Sequence, residues 1–246
     1  MRCDGPPWLL LSAFELDFVE AGERRRLSLG QVWDRRFEFA DPVREFRWAK
    51  GGQGFAGWYF SATVGDHVGY ESWLERDRLI LLDREPGVVG IASQPFWLHW
   101  HDGRRQRRHA PDYFVRLADG RGQVVDVRAG DRIESANAEA FSATERACRA
   151  VGWEFSRVGE PEPVLMENVR WLSRYRRSRC ANPEVAERLL DLFSEPTTAG
   201  WGFASGRTLV VLPVLFHLLW HGDLAADLES EPLSSTTLVG AGGRAR

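Results

Sequence analysis

The sequence predicts an α/β fold, a mixed sheet flanked by helices, followed by a mostly helical C-terminal module. Three observations carry this. A chain of 246 residues with 43% hydrophobic residues and eleven tryptophans has the length and the apolar content for a large core or two modest ones. Apolar residues alternate with others over 109–117 and again over 123–128, around turn residues at 118–122, while 70–83 and 137–151 carry helical spacing. Finally, Gly159-Glu160-Pro161-Glu162-Pro163 reads as a linker, and helical periodicity restarts after it.

The elements follow in order. Residues 1–56 predict a small β appendage, with strands at 16–19 and 26–29 around Ala21-Gly22-Glu23 and a flexible loop at 50–54. A domain at 57–160 comes next. It opens with a hairpin (57–62 and 67–70, around Val64-Gly65-Asp66), then the helix 70–83. Strands at 88–92 and 96–101 lead to the central hairpin, and a helix at 137–151 and a strand at 153–158 close the domain. Residues 161–239 predict helices at 164–175, 184–193 and 209–220, with 224–228 and 234–239 as a β-wing. That set is either a winged-helix module or a plain helical cap. Residues 240–246 predict a disordered tail.

Composition narrows function. A net charge of −3 gives no global signal for nucleic acid, so any DNA contact has to come from local patches. Arg104, Arg105, Arg107 and Arg108 form one such patch, and Arg170, Arg174, Arg176, Arg177 and Arg179 a second. Cys3, Cys148 and Cys180 lack metal or disulfide spacing, which predicts a reducing, cytoplasmic setting. The apolar runs at 8–11 and 209–220 are too short for a signal peptide and a membrane span respectively, so no membrane association is expected. Neither a phosphate-cradling glycine loop nor a G-x-S-x-G nucleophile setting is present. The His pairs 217/221 and 99/101 lack accompanying acids or cysteines, and packing or surface roles are expected for them.

The chemistry concentrates on the central hairpin. With its tip near Gly120, Asp112 is predicted opposite Arg128 and diagonal to Asp126, which shares a strand face with Arg128. Two close carboxylates repel, and an apolar hairpin does not stabilise them alone. Either a divalent cation balances both, or Asp112 and Arg128 form a surface ion pair while Asp126 is solvated. Glu75, on an inward stripe with Leu79 and Leu82, is a third acid that needs a partner. Glu71 lies one turn earlier as the reserve candidate.

A helical Glu, then Pro111-Asp112 on a strand, then Asp126-Val127-Arg128 on the next resembles the PD-(D/E)-x-K nuclease superfamily, with its restriction-endonuclease-like fold. More specifically, Leu74-Glu75, the segment 88–96, Pro111-Asp112-Tyr113-Phe114 and Asp126-Val127-Arg128 are together similar to TnsA, the endonuclease subunit of heteromeric transposases. Gln94 follows Glu75 at an interval of 19 residues (94 − 75), which also suits that family, and Asn168 to Leu172 resembles the entry into its second domain. The resemblance implies a Mg²⁺-dependent endonuclease (Mn²⁺ as a substitute) that cuts transposon-end DNA beside a DDE transposase subunit and an AAA+ ATPase regulator. It implies Glu75, Asp112 and Asp126 as metal ligands with the Val127 carbonyl, Arg128 as a catalytic cation, and Gln94 as a substrate-positioning residue. Arg128 stands where the superfamily usually has lysine. The chain has a single lysine, Lys50, so a general preference for arginine accounts for the exchange. Arginine stabilises a phosphate but does not give up a proton. A catalytically weakened assembly subunit and a stand-alone restriction- or repair-type nuclease are the alternatives.

Overall fold

A computed structural model describes residues 11–46, 55–130, 135–200 and 208–243. The expected loop at 50–54 lies outside the described residues, as does most of the apolar run at 8–11. The chain divides into two compact units, residues 1–83 with 87–160, and residues 84–86 with 161–246.

In the first unit, β1 (Glu15–Glu20) and β2 (Glu23–Ser28) form an antiparallel hairpin. Its two-residue turn places Ala21 at φ 53° and Gly22 at φ 77°, the left-handed geometry that matches strand twist. A short helix, α1 (Leu29–Val32), and a 3-10 turn at Phe37–Phe39 follow. Next come the hairpin β3 (Gly57–Phe60) and β4 (His67–Tyr70), and the helix α2 (Trp73–Arg84). Then come β5 (Val88–Ser93), β6 (Trp97–His101), β7 (Gln106–His109), β8 (Tyr113–Leu117) and β9 (Gly122–Val127). Helix α3 (Ser135–Val151) connects β9 to β10 (Glu154–Val158), which pairs with it in parallel. The strands make one sheet in the order β2-β1-β6-β7 and a second, mixed sheet in the order β10-β9-β8-β5.

Three expectations need correction here. Residues 15–28 are not an appendage. Phe14, Leu16 and Phe18 alternate onto one face, and β1 pairs with β6, so that face closes a core with Phe96, Leu98, Phe114, Val124 and Ala147. Phe37 sits at the centre of this core, its ring 5.1–5.8 Å from Phe18, Phe96, Phe114 and Trp153. A two-stranded ribbon has too little apolar surface to stand alone, so it joins the nearest free edge. Second, the arm expected to begin at residue 109 begins at Tyr113, and His109 instead ends a separate strand. Arg107 and Arg108 lie in β7, antiparallel to β6, across a turn in which the Asp102 carboxylate accepts from the backbone N–H groups of Arg104 and Arg105. Third, the 70–83 helix begins at Trp73, because Ser72 caps it.

In the second unit, α4 (Pro163–Leu172), α5 (Pro183–Leu192) and α6 (Thr208–His221) accompany a three-stranded antiparallel sheet. Its order is β11 (Thr197–Thr198), β13 (Leu238–Ala241), β12 (Leu224–Ala226). Gly240 and Ala241, expected in a disordered tail, pair with Ala225 and Leu224. Residues 244–246 lie outside the described residues. His217 Nδ1 lies 2.7 Å from the Tyr175 carbonyl oxygen, and His221 Nε2 lies 3.1 Å from that of Arg176. Among the described residues no helix is long and apolar enough to cross a membrane.

Candidate active site

The β8–β9 register decides which charges meet. Tyr113 lies opposite Val125 and Phe114 opposite Val124. Continuing that ladder by one pair sets Asp112 opposite Asp126, with Arg128 on the diagonal. The predicted register is thus displaced by two residues, because the hairpin loop closes over Ala118–Arg121, where Leu117 N–H donates to the Arg121 carbonyl at 2.9 Å. A displacement of two keeps every side chain on its predicted face, so the same three residues still gather.

Like charges directly opposite are costly in a sheet. Burial, with the added repulsion of Asp126 and Glu75, raises the Asp112 carboxyl to about 7, against the pull of Arg128. Asp112 Oδ2 accepts from the Val127 N–H at 2.7 Å and from Arg128 Nη1 at 3.3 Å. Arg128 Nη1 also donates to the Val127 carbonyl at 2.8 Å. An Asp112–Arg128 ion pair is therefore present, but Asp126 is fully buried and not solvated. Its two carboxylate oxygens both lie 2.9 Å from His109 Nε2.

Glu75 is buried, as its inward stripe predicts, and burial raises its pKa. Its oxygens accept from Glu71 N–H at 2.7 Å and from Ser72 Oγ at 3.1 Å, while its own N–H donates back to Ser72 Oγ. That reciprocal pattern is a helix-capping arrangement, legible in advance as Ser-x-x-Glu. Glu71 is held by Arg44 through two hydrogen bonds of 2.8 and 2.6 Å.

Gln94 has an unusual backbone for a buried side chain. It is a buried non-glycine residue at φ 48°, a costly conformation, and its side-chain Oε1 is buried with no hydrogen-bond partner among the described residues. Its backbone ties the site together. Its N–H donates to the Asp112 carbonyl, and its carbonyl accepts from Val43 N–H, each at 2.9 Å.

Of the arginines, Arg104, Arg105 and Arg108 are exposed, with Arg108 stacked 4.3 Å over Trp97. Arg107 is held by Asp102 at 2.6 Å. In the second unit Arg174 lies over Trp171, Arg176 donates to the Ser173 carbonyl, and Arg177 is exposed.

Among the described residues no three His, Cys, Asp or Glu side chains stand together as a group that could hold a metal ion. Magnesium does not need such a cage. It is commonly held by one or two carboxylates plus waters and substrate phosphate. Asp112, raised by burial, and Asp126, with the Val127 carbonyl beside them, fit that requirement in donor chemistry. His109 is the member that sequence reasoning missed. It stands three residues before Asp112, and no local pattern marks it, because its partner Asp126 is 17 positions away.

Residues 85–160 match the family model described as TnsA-like endonuclease N terminal. This stretch is consistent with a TnsA-like nuclease. It carries Gln94, Asp112, Asp126 and Arg128, and leaves Glu75 outside. No curated protein matches the chain.

Proposed function

We propose that this protein is a metal-dependent DNA endonuclease subunit of a heteromeric transposase, hydrolysing phosphodiester bonds at transposon ends. The observation that carries the reading is the pair of opposed acids, Asp112 and Asp126, with Arg128 on the diagonal, inside the stretch that matches a TnsA-like endonuclease.

Asp112, Asp126 and the Val127 carbonyl, with Glu75, would hold Mg²⁺, or Mn²⁺ in its place. When bound, such an ion supplies a water of lowered pKa and positive charge for the leaving oxygen. Arg128 holds a fixed positive charge for the phosphoryl oxygens, a task suited to a planar guanidinium and independent of giving up a proton. Gln94, fixed by its backbone bonds, offers a side-chain amide to position substrate. Arg104, Arg105, Arg107 and Arg108 contact DNA phosphates. Arg174, Arg176 and Arg177 do so from the second unit, which we read as a winged-helix-like module. A DDE transposase subunit and an AAA+ ATPase are the expected partners.

A second reading keeps the DNA-binding and assembly role without efficient cutting. Arg128, in the place of the usual lysine, favours it. Supercoiled-plasmid cleavage with Mg²⁺ or Mn²⁺, with and without the partner transposase, separates the two. The endonuclease reading expects metal-dependent nicking by wild type. Binding of transposon-end DNA with no cutting under any of these conditions would establish the second reading.

A further inference from the structure

Asp126 lies on β9 of the mixed sheet, while His109 ends β7 of the other sheet. The imidazole crosses between the two sheets to reach a carboxylate with no solvent exposure. Among the described residues no other group donates a hydrogen bond to that carboxylate. A buried carboxylate is costly unless its oxygens are satisfied, so its position depends heavily on this one donor. The donor is itself fixed. The His109 backbone pairs with Leu98, and its ring meets the edge of Phe141 at 6.0 Å and 85°. Nε2 lies 2.9 Å from both oxygens, and an ionised carboxylate, which only accepts, takes its hydrogen bond from Nε2.

We propose that His109 is the positioning residue of the active centre, holding Asp126 in place opposite Asp112. The proposal rests on the endonuclease reading above. A purely structural pairing would be better served by an apolar pair, since burying an acid opposite another acid lowers stability. The pairing makes sense if the orientation of Asp126 matters to what binds there. Donors to ligating carboxylates act in this way, and their loss typically costs about 10- to 100-fold in metal affinity or activity.

The test uses the full chain and three variants, His109→Leu, His109→Gln and Asp126→Asn, plus the double variant His109→Leu/Asp126→Asn. Isothermal titration with Mn²⁺ reads metal affinity, a fluorescent transposon-end duplex reads DNA affinity, and plasmid cleavage with partner transposase reads turnover. We expect His109→Leu to weaken Mn²⁺ binding and to lower kcat, each about 10- to 100-fold, with DNA affinity unchanged. His109→Gln, which keeps an N–H donor, recovers most of both. In the double variant the leucine adds less than about 3-fold to the loss from Asp126→Asn, because residues acting through one another are not additive. Wild-type Mn²⁺ affinity and kcat in His109→Leu would overturn the proposal, and so would losses that simply multiply in the double variant. If His109→Leu fails to fold, His109→Gln decides: recovery of wild-type values supports positioning, and loss equal to Asp126→Asn opposes it. A wild-type protein that neither binds Mn²⁺ nor cuts overturns the endonuclease reading and this proposal together. A wild type that does both beside an indifferent His109→Leu overturns this proposal alone.

Discussion

The first unit contains two hairpins with opposite electrostatics. In β1–β2 Glu20 and Glu23 also stand opposite each other, but at the turn end of the ribbon, and each acid has an arginine within reach. Arg24 grips Asp17 through two bonds of 2.7 and 2.8 Å, Arg26 holds Glu15, and Arg35 reaches Glu20 at 2.6 Å. The Arg24 hydrogen bonds hold the Asp17 carboxyl below its usual range. In β8–β9 two acids face each other and the Asp112 carboxyl is driven up. One ribbon has resolved its charges locally. The other leaves them in conflict, a kind of perturbation that clusters at functional sites and that the proposed metal would relieve.

The largest contrast is in activity. Asp112→Ala should lower plasmid cleavage by at least about 10²-fold, the scale of losing a directly acting charged group, with near-wild-type circular dichroism. Asp17→Ala should leave cleavage within about 2-fold and cost about 1–3 kcal/mol, the range for hydrogen bonds to a charged group, since Asp17 is buried under an exposed Arg24. Equal losses in the two variants would remove the distinction between the hairpins.

Arg128 sharpens the comparison. If it serves by fixed charge, Arg128→Ala loses about 10²-fold in kcat while Arg128→Lys keeps substantial activity. A wild type that is nearly inert, with cutting restored by Arg128→Lys, would instead identify a decayed site.

Glu75 separates capping from chemistry. Glu75→Gln preserves a side chain able to cap, so the melting temperature should shift little, within about 0.5 kcal/mol. Its charge is lost, so cleavage should fall about 10-fold or more if Glu75 acts on the metal. Unchanged cleavage would leave Glu75 as a helix cap only. Cleavage lost in Glu71→Gln instead would move the role one turn back.

The pH dependence of stability is a further break point. A carboxyl whose pKa is about 4 unfolded and about 7 folded binds its proton more tightly in the native state. Its contribution to stability is therefore intact below pH about 4 and is lost as pH rises toward 7. In metal-free buffer, Asp112→Asn should gain on wild type across that window, by roughly 1–4 kcal/mol at pH 8, since one pKa unit is about 1.4 kcal/mol. Asp17 is lowered, so its contribution is present above about pH 4 and fades on acidification. Asp17→Asn should thus lose stability at neutral pH. Urea melts at several pH values read both signs. The smallest effect is at the turn of the resolved hairpin, where Ala21→Asn should add a few tenths of a kcal/mol by relieving a left-handed alanine.

The sequence alone determined a good deal of this protein. Alternation and turn residues marked both hairpins, and helical spacing located α2, α3 and the helices beyond Pro163, because these patterns are local. Faces were legible too, since side chains alternate with period two. That is why Asp112, Asp126 and Arg128 were found together although the strand register was two residues off. Tertiary structure decided what no local pattern encodes. It drew the N-terminal ribbon into the core through β1–β6 pairing, since its apolar face had nowhere else to go. It gave Glu71 to Arg44, 27 positions away. It also brought His109 across from the other sheet to Asp126. Contacts between residues on different sheets depend on how those sheets pack, and packing is a property of the whole core, not of any one segment.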